Sequence, residues 1–290
     1  MKKHLYIYSP SGAVRDKQAF RRGVKRLSAL GYDVEIDVAA LNGFMRFAGD
    51  DETRLAAIHR AAASGADVAL ISRGGYGLTR LLSGIRYKSI AKAIERGTSF
   101  VGISDFTAFQ LAVLAKTGST TWAGPGLCEG FGVGGAPDLL PDDVMEACFQ
   151  DMTSGQGEGT GWRQSTALVG EPVNVRNATL WGGNLSVLVS LVGTPYFPSI
   201  KGGVLFLEDV GEHPYQIERM LTQLLHTGIL KNQKALVMGQ FTGFTVNTHD
   251  KGFKLGTAVH WIESQLKIPV LTLRFPSASA SCWRSSTSPG

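Results

Sequence analysis

Ser99-Phe100-Val101-Gly102-Ile103-Ser104-Asp105-Phe106-Thr107 reads as a strand that breaks and turns directly into a helix. Residues 99–103 suit a buried parallel strand. Gly102 permits a tight turn, Ser104 stands at its tip, and helical spacing runs from Phe106 to Lys116. Such a turn presents a hydroxyl at the C-terminal edge of a sheet, beside the backbone N–H groups that open a helix. A serine there serves equally as an ordinary helix N-cap. Phe106 occupies the position of the second glycine in the Gly-x-Ser-x-Gly pattern, so this stretch by itself leaves cap and nucleophile both open.

Outward from it, the same alternation repeats. Leu5–Tyr8 is a short buried-type strand, and 13–30 has apolar residues at helical spacing up to Gly31. Tyr32–Val38 alternates like a strand. Asp51–Ser64 is a helix with an acidic first turn, Val68–Ile71 a strand, and 78–84 a helix. Strand, turn and helix in succession predict an α/β fold: a mainly parallel sheet with flanking helices. The glycine-rich stretches 126–137 and 154–162, with a short helical segment over 141–150 between them, mark a boundary. The division is 1–140 for an N-terminal α/β domain, 141–165 for a linker and 166–290 for a smaller C-terminal α/β domain. In the latter, strands are expected at 166–176, 203–208 and 234–239, and helices at 183–192, 214–227 and 254–265. Ile217, Met220, Leu221, Leu224 and Leu225 form the core face of the 214–227 helix.

Three further segments carry candidate chemistry. Ser72-Arg73-Gly74-Gly75-Tyr76-Gly77 follows a strand, and its glycines let backbone amides approach a ligand or simply make a tight turn. It lacks the Gly-Lys-Ser/Thr of a phosphate loop. Leu207-Glu208-Asp209 ends an apolar strand in two carboxylates, either of which suits orienting a histidine or a solvated turn. Trp181-Gly182-Gly183-Asn184 places an aromatic and an amide beside a glycine pair; Trp181 is a candidate to stack on a substrate and Asn184 to hydrogen-bond it or cap a helix.

Composition narrows the classes. The chain has 290 residues, 43% apolar and 18% charged, with net charge +5. Its only basic cluster, Arg21, Arg22, Lys25 and Arg26, comes without the aromatic platform or motif of a nucleic-acid binder, so no nucleic-acid partner is expected. The three cysteines match no metal spacing and no metal or cofactor is expected. No apolar run reaches the about 18 residues of a membrane span, and the N-terminus lacks a signal-peptide core, so the expected location is cytoplasmic.

Taken together, Ser72–Gly77, Gly102–Thr107, Trp122–Pro125 (Trp-Ala-Gly-Pro), Trp181–Ser186 and Leu207–Gln223 resemble, in order, the motifs of the LD-carboxypeptidases, a serine peptidase family. The resemblance implies an N-terminal domain like that of class I glutamine amidotransferases, a smaller C-terminal domain, and a Ser–His–Glu triad spanning the two. By position it makes Ser104 the nucleophile, Glu208 the triad acid, the amides of Gly75 and Asp105 the oxyanion hole, and Arg73 a candidate for the substrate carboxylate. The implied partner is murein tetrapeptide, whose terminal D-Ala is removed in cell-wall recycling, and the implied assembly is a homodimer. Two alternatives are a microcin-immunity-type peptidase acting on a peptidyl-nucleotide and a catalytically dead peptide-binding homologue. One departure stands out. The family's histidine lies well downstream of the acid, yet no histidine follows His260, and the Ser-rich tail 273–290 is aberrant, as a change of reading frame near residues 272–274 would make it.

Overall fold

Leu5, Ile7 and Tyr8 are sealed from solvent in the first strand, β1 (His4–Tyr8), around which the N-terminal sheet is built. The computed structural model describes residues 2–135, 140–156 and 174–272, with the backbone of 283–284. After β1 come α1 (Lys17–Ala29), β2 (Asp33–Ile36), α2 (Asp51–Ala63), β3 (Val68–Ile71), α3 (Tyr87–Glu95), β4 (Ser99–Gly102), α4 (Thr107–Thr117), β5 (Trp122–Ala123) and α5 (Asp143–Ser154). The second half carries β6 (Leu180–Asn184), α6 (Leu185–Ser190), β7 (Val204–Val210), α7 (Pro214–His226), β8 (Ala235–Thr242), α8 (Leu255–Gln265) and β9 (Val270–Thr272). A two-residue strand, β10, lies at Trp283–Arg284.

Two compact units result, one holding the described residues up to 156 together with β10, the other holding 174–272. The sheet of the first runs β10-β5-β4-β3-β1-β2, parallel throughout except for β10, which pairs antiparallel with β5. The strand order reverses between β1 and β3. In open α/β sheets such a switch point, at the carboxyl ends of the strands, is where ligands bind. The loops leaving β1, β3 and β4 all end there. Every residue of β3 is at most 1% exposed, as a strand covered on both faces requires. The second sheet is β6-β7-β8-β9, all parallel, with α6, α7 and α8 as its helices. Ile217, Met220, Leu221, Leu224 and Leu225 are buried on α7 as the sequence predicts, and His213 and Pro214 start that helix with a capping box.

Several local expectations change. The helix over 78–84 is instead two 3₁₀ turns, Leu78–Arg80 and Leu82–Gly84, since so short a segment between glycines cannot propagate an α-helix. Helix α3 was not foreseen; its Ile90 and Ala93 face the core. Residues 183–184 belong to β6, with the helix beginning at Leu185. Of the strand expected at 166–176, residues 166–173 lie outside the described residues and 174–176 are not in a strand. Part of the expected linker is α5, whose Met145 and Phe149 join Leu5, Phe20, Leu70 and Phe131 in the core of the first unit. The basic cluster on α1 is partly spoken for. Arg22 Nε donates to Gly132 O at 3.0 Å, and Arg26 donates to the carbonyls of Phe131 and Val133.

Candidate active site

Ser104 sits where β4 gives way to helix, at φ 64°, in the left-handed region that a residue with a β-carbon avoids. A glycine two residues earlier makes room for the turn: a Cβ on Gly102 would lie 2.5 Å from Phe106 Cδ1 and 2.8 Å from Ile71 Cδ1. The side chain is partly exposed rather than sealed in the core. Opposite it stands Gly74, where a Cβ would lie 2.8 Å from Ser104 Cβ and 3.0 Å from its Oγ. The loop after β3 therefore presses its backbone directly against the hydroxyl.

That loop is braced from three sides. Gly12 N–H, in the loop after β1, donates to Gly74 O at 3.2 Å, and Gly75, at φ 128°, lies so close to Gly12 that a Cβ would be 2.9 Å from its Cα. A trans peptide points its C=O and N–H in opposite directions, so the Gly75 N–H is aimed away from Gly12. The buried guanidinium of Arg54 donates to Pro10 O at 3.2 Å and Gly77 O at 3.1 Å and lies over the Phe47 ring. The Asp105 carboxylate, 2% exposed, accepts from Leu78 N–H at 3.0 Å and from the Ser11 hydroxyl. Asp105 thus fastens the serine turn to both neighbouring loops, and its own N–H lies in the first turn of the helical run from Ser104 to Thr117.

Arg73, the candidate carboxylate binder, is already engaged. Its Nε donates to Glu129 Oε1 at 3.1 Å and its Nη1 to Ala13 O at 3.4 Å. Four of the predicted residues, Ser104, Asp105, Gly75 and Arg73, therefore converge in the first unit. Sequence reasoning missed Ser11, Gly12 and Glu129 as contributors. The Ser9-Pro10-Ser11-Gly12 turn after the first strand carried a signal for two of them; Glu129 carried none, because its partners are remote in sequence.

The other three predicted residues lie in the second unit. Asn184 and Glu208 face each other in the β6–β7 register, and β7 shifts register against β8 between Leu207 and Asp209, at Glu208 itself. The two adjacent carboxylates part company there. Asp209 is 3% exposed and accepts from Asn184 Nδ2 at 2.9 Å, Ser186 N–H at 2.8 Å and Val210 N–H at 2.8 Å, a structural role. Glu208 accepts from the Asn184 amide, yet its buried Oε1 has no hydrogen-bond partner among the described residues. Burial, followed by the neighbouring Asp209 charge, pushes its pKa up to about 7. A carboxylate so placed lacks the donor that a triad acid has in its histidine. Of the histidines, His213 pairs with Asp250 at 3.2 Å and His260 with Gly256 O at 2.7 Å.

Trp181 requires a correction. It is 1% exposed, its indole N–H donates to Gln233 Oε1 at 3.0 Å, and Phe197 meets it edge-on at 5.7 Å. It is a core residue, packed inside the unit rather than presented to a substrate. Asn184, 6% exposed, has its amide taken up within the unit too: Oδ1 caps α6 through Val187 N–H at 3.1 Å and Nδ2 holds the Asp209 carboxylate. Among the described residues no group of three or more His, Cys, Asp and Glu could hold a metal, and no helix is long and apolar enough to cross a membrane.

The family model of the LD-carboxypeptidase N-terminal domain matches residues 5–124, and that of the LD-carboxypeptidase C-terminal domain matches 177–275. A probable murein peptide carboxypeptidase of Bacillus subtilis is 31% identical over 230 residues, 79% of this chain and 69% of that one. The chain belongs to the LD-carboxypeptidase family. Its fold is that of a solved LD-carboxypeptidase relative, a muramoyltetrapeptide carboxypeptidase from Oxalobacter formigenes, with a TM-score of 0.85 at 36% identity over 97% of this chain and 92% of that one. The microcin C7 self-immunity protein MccF of Escherichia coli is also similar, at 27% identity over 58% of this chain and 54% of that protein. The serine turn, the Gly74–Gly75 loop and the strand that carries Glu208 all fall inside the two matched LD-carboxypeptidase domains.

Proposed function

We propose that this chain is a serine-type LD-carboxypeptidase that hydrolyses the bond to the terminal D-Ala of murein tetrapeptide, at a rate held down by the lack of a catalytic histidine. The observation that carries the reading is the strained turn at Ser104, φ 64°, with Gly74 packed against its hydroxyl. Backbone held in a sparsely populated region is retained where it has a task.

In this reading Ser104 Oγ attacks the carbonyl that joins the L-centre of the third residue to D-Ala. The negative charge developing on the carbonyl oxygen is received by the N–H groups of Asp105 and Gly75. D-Ala leaves with a proton, and water hydrolyses the acyl-serine. Arg73, its Nε kept on Glu129, holds the terminal carboxylate through the terminal nitrogens of its guanidinium. Glu208 is the acid that would orient an imidazole; in residues 261–290 no histidine stands to be oriented, and in this reading water takes up and returns the serine proton. Removal of one triad member lowers kcat by about 10⁴–10⁶ while binding and the oxyanion donors still act. Residence in the cytoplasm and a homodimeric state belong to the same reading, the latter checked by light scattering on the purified chain.

The burial of Trp181 speaks against the peptidyl-nucleotide alternative, since that aromatic is not placed to stack on a base. The test is release of D-Ala from murein tetrapeptide, compared with cleavage of a peptidyl-adenylate analogue. Slow D-Ala release that vanishes in Ser104→Ala supports the proposal. Release unaffected by Ser104→Ala, or tetrapeptide binding with no release at all, overturns it.

A further inference from the structure

Glu129 lies in the single π-type turn Leu127–Phe131 after β5, within the first unit, and its contacts are unusual for a half-exposed carboxylate. Oε1 receives Arg73 Nε at 3.1 Å, and the Gly74 N–H faces the same carboxylate. One side chain thus meets both the side chain and the following amide of a single residue, Arg73. The turn is brought into place by Cys128 N–H, which donates to Ser72 O at 2.8 Å, and Gly126 gives it space, since a Cβ there would be 2.8 Å from Glu129 Oε2. Two consecutive peptides of the loop are then fixed at opposite ends. The Gly74 N–H faces Glu129, while Gly12 N–H donates to the Gly74 carbonyl at 3.2 Å.

We infer that Glu129 is a positioning residue for the serine site: by clamping Arg73 and the Gly74 amide it sets the loop that packs on Ser104 and leaves the Gly75 amide as the loop's donor to the reacting carbonyl. The inference rests on Ser104 being the nucleophile and on Gly75 serving the oxyanion. The clamp needs an acceptor with two lone-pair directions and a negative charge to hold a guanidinium, which a carboxylate supplies and an amide supplies only in part. The charged group that acts on it is Arg73; Cys128 is its chain neighbour, and Asp16 and Arg22 act on that thiol. Burial pushes the Cys128 thiol up to about 12, and Asp16 is held low by the helix N–H groups it caps. Partial burial raises Glu129 above the ordinary glutamate range. Glu129 is accordingly the group here that changes charge above the ordinary glutamate range.

The Gly74 amide reports the clamp without any turnover. In the full-length ¹⁵N-labelled chain its proton resonance should shift with a single midpoint above the usual glutamate value, and in Glu129→Gln that shift should be absent. A Gly74 resonance that does not follow this titration, or that follows it unchanged in Glu129→Gln, overturns the inference. Release of D-Ala supplies the functional arm: Glu129→Ala should lower it at least tenfold and Glu129→Gln should fall between, with unchanged circular dichroism for both. Equal rates in all three proteins would also overturn it. If Gly74 titrates as stated but the parent chain releases no D-Ala, the clamp stands and the proposed reaction fails.

Discussion

Ser104 holds a backbone angle that costs a residue with a β-carbon about 1–2 kcal/mol relative to glycine. Removing the hydroxyl and removing the strain are separable. Ser104→Ala should abolish D-Ala release without gaining stability, whereas Ser104→Gly should abolish it and raise stability by about 1 kcal/mol, read as a higher denaturation midpoint. Equal midpoints for the two variants would mean the turn is not strained. Glu208 offers a second test. Its folded pKa of about 7 lies above the unfolded value of 4.5, so the folded chain retains a proton that the unfolded chain has lost. Its contribution to stability is therefore fully present below pH 4.5 and is lost as pH rises through about 7. Glu208→Gln removes that loss. Relative to the parent, the variant should be more stable at pH 8 than at pH 5, by on the order of 1–3 kcal/mol. A difference that does not change between the two pH values would place Glu208 in water instead of in the protein. Of these two residues the sequence displayed the types and, for Ser104, the place where a strand turns into a helix; the strand expected to stop at Glu208 runs on to Val210. It did not separate Glu208 from Asp209, because the choice depends on which carboxylate meets Asn184, Ser186 and Val210 in three dimensions.

At the scale of elements, glycines decide which loops can approach. Gly74→Ala would drive a methyl group to within 2.8 Å of Ser104 Cβ. The expected outcome is a chain with near-parental thermal stability and D-Ala release lowered at least as far as in Glu129→Ala, because the loop retreats from the serine while the sheet is untouched. Gly182, at φ 124°, is different in kind: a Cβ there would overlap the carbonyl oxygen of Phe206 on the neighbouring strand. Gly182→Ala should therefore disrupt β6–β7 pairing and destabilise the second unit, with a cost of several kcal/mol in chemical denaturation. A Gly182→Ala chain as stable as the parent would contradict the register that sets Asn184 opposite Glu208. The glycine-rich motifs were visible in the sequence as motifs. Their division into a loop against a nucleophile and a strand against a strand was not, since the same lack of a side chain serves both.

For the whole molecule, two expectations follow. Phe149 is fully buried against Tyr32 and Phe131, and Phe149→Ala should cost about 3–5 kcal/mol, read in the first unit's unfolding transition. Little loss would mean that α5 is dispensable linker, as its sequence suggested. Replacing residues 273–290 with a Gly-His-bearing C-terminus should raise D-Ala release by several powers of ten; no gain would mean that the missing imidazole is not what limits this chain. The sequence by itself determined the fold class, most of the strands and helices, the serine turn and the membership in a peptidase family, because periodicity, turn residues and motifs are local properties of the chain. Only tertiary structure decided that Trp181 is core, that Asp209 is structural while Glu208 keeps an oxygen without a partner among the described residues, and that Glu129 reaches the loop beside Ser104. Burial and hydrogen-bond partnership are properties of neighbours in space, and those neighbours are set by how strands pair.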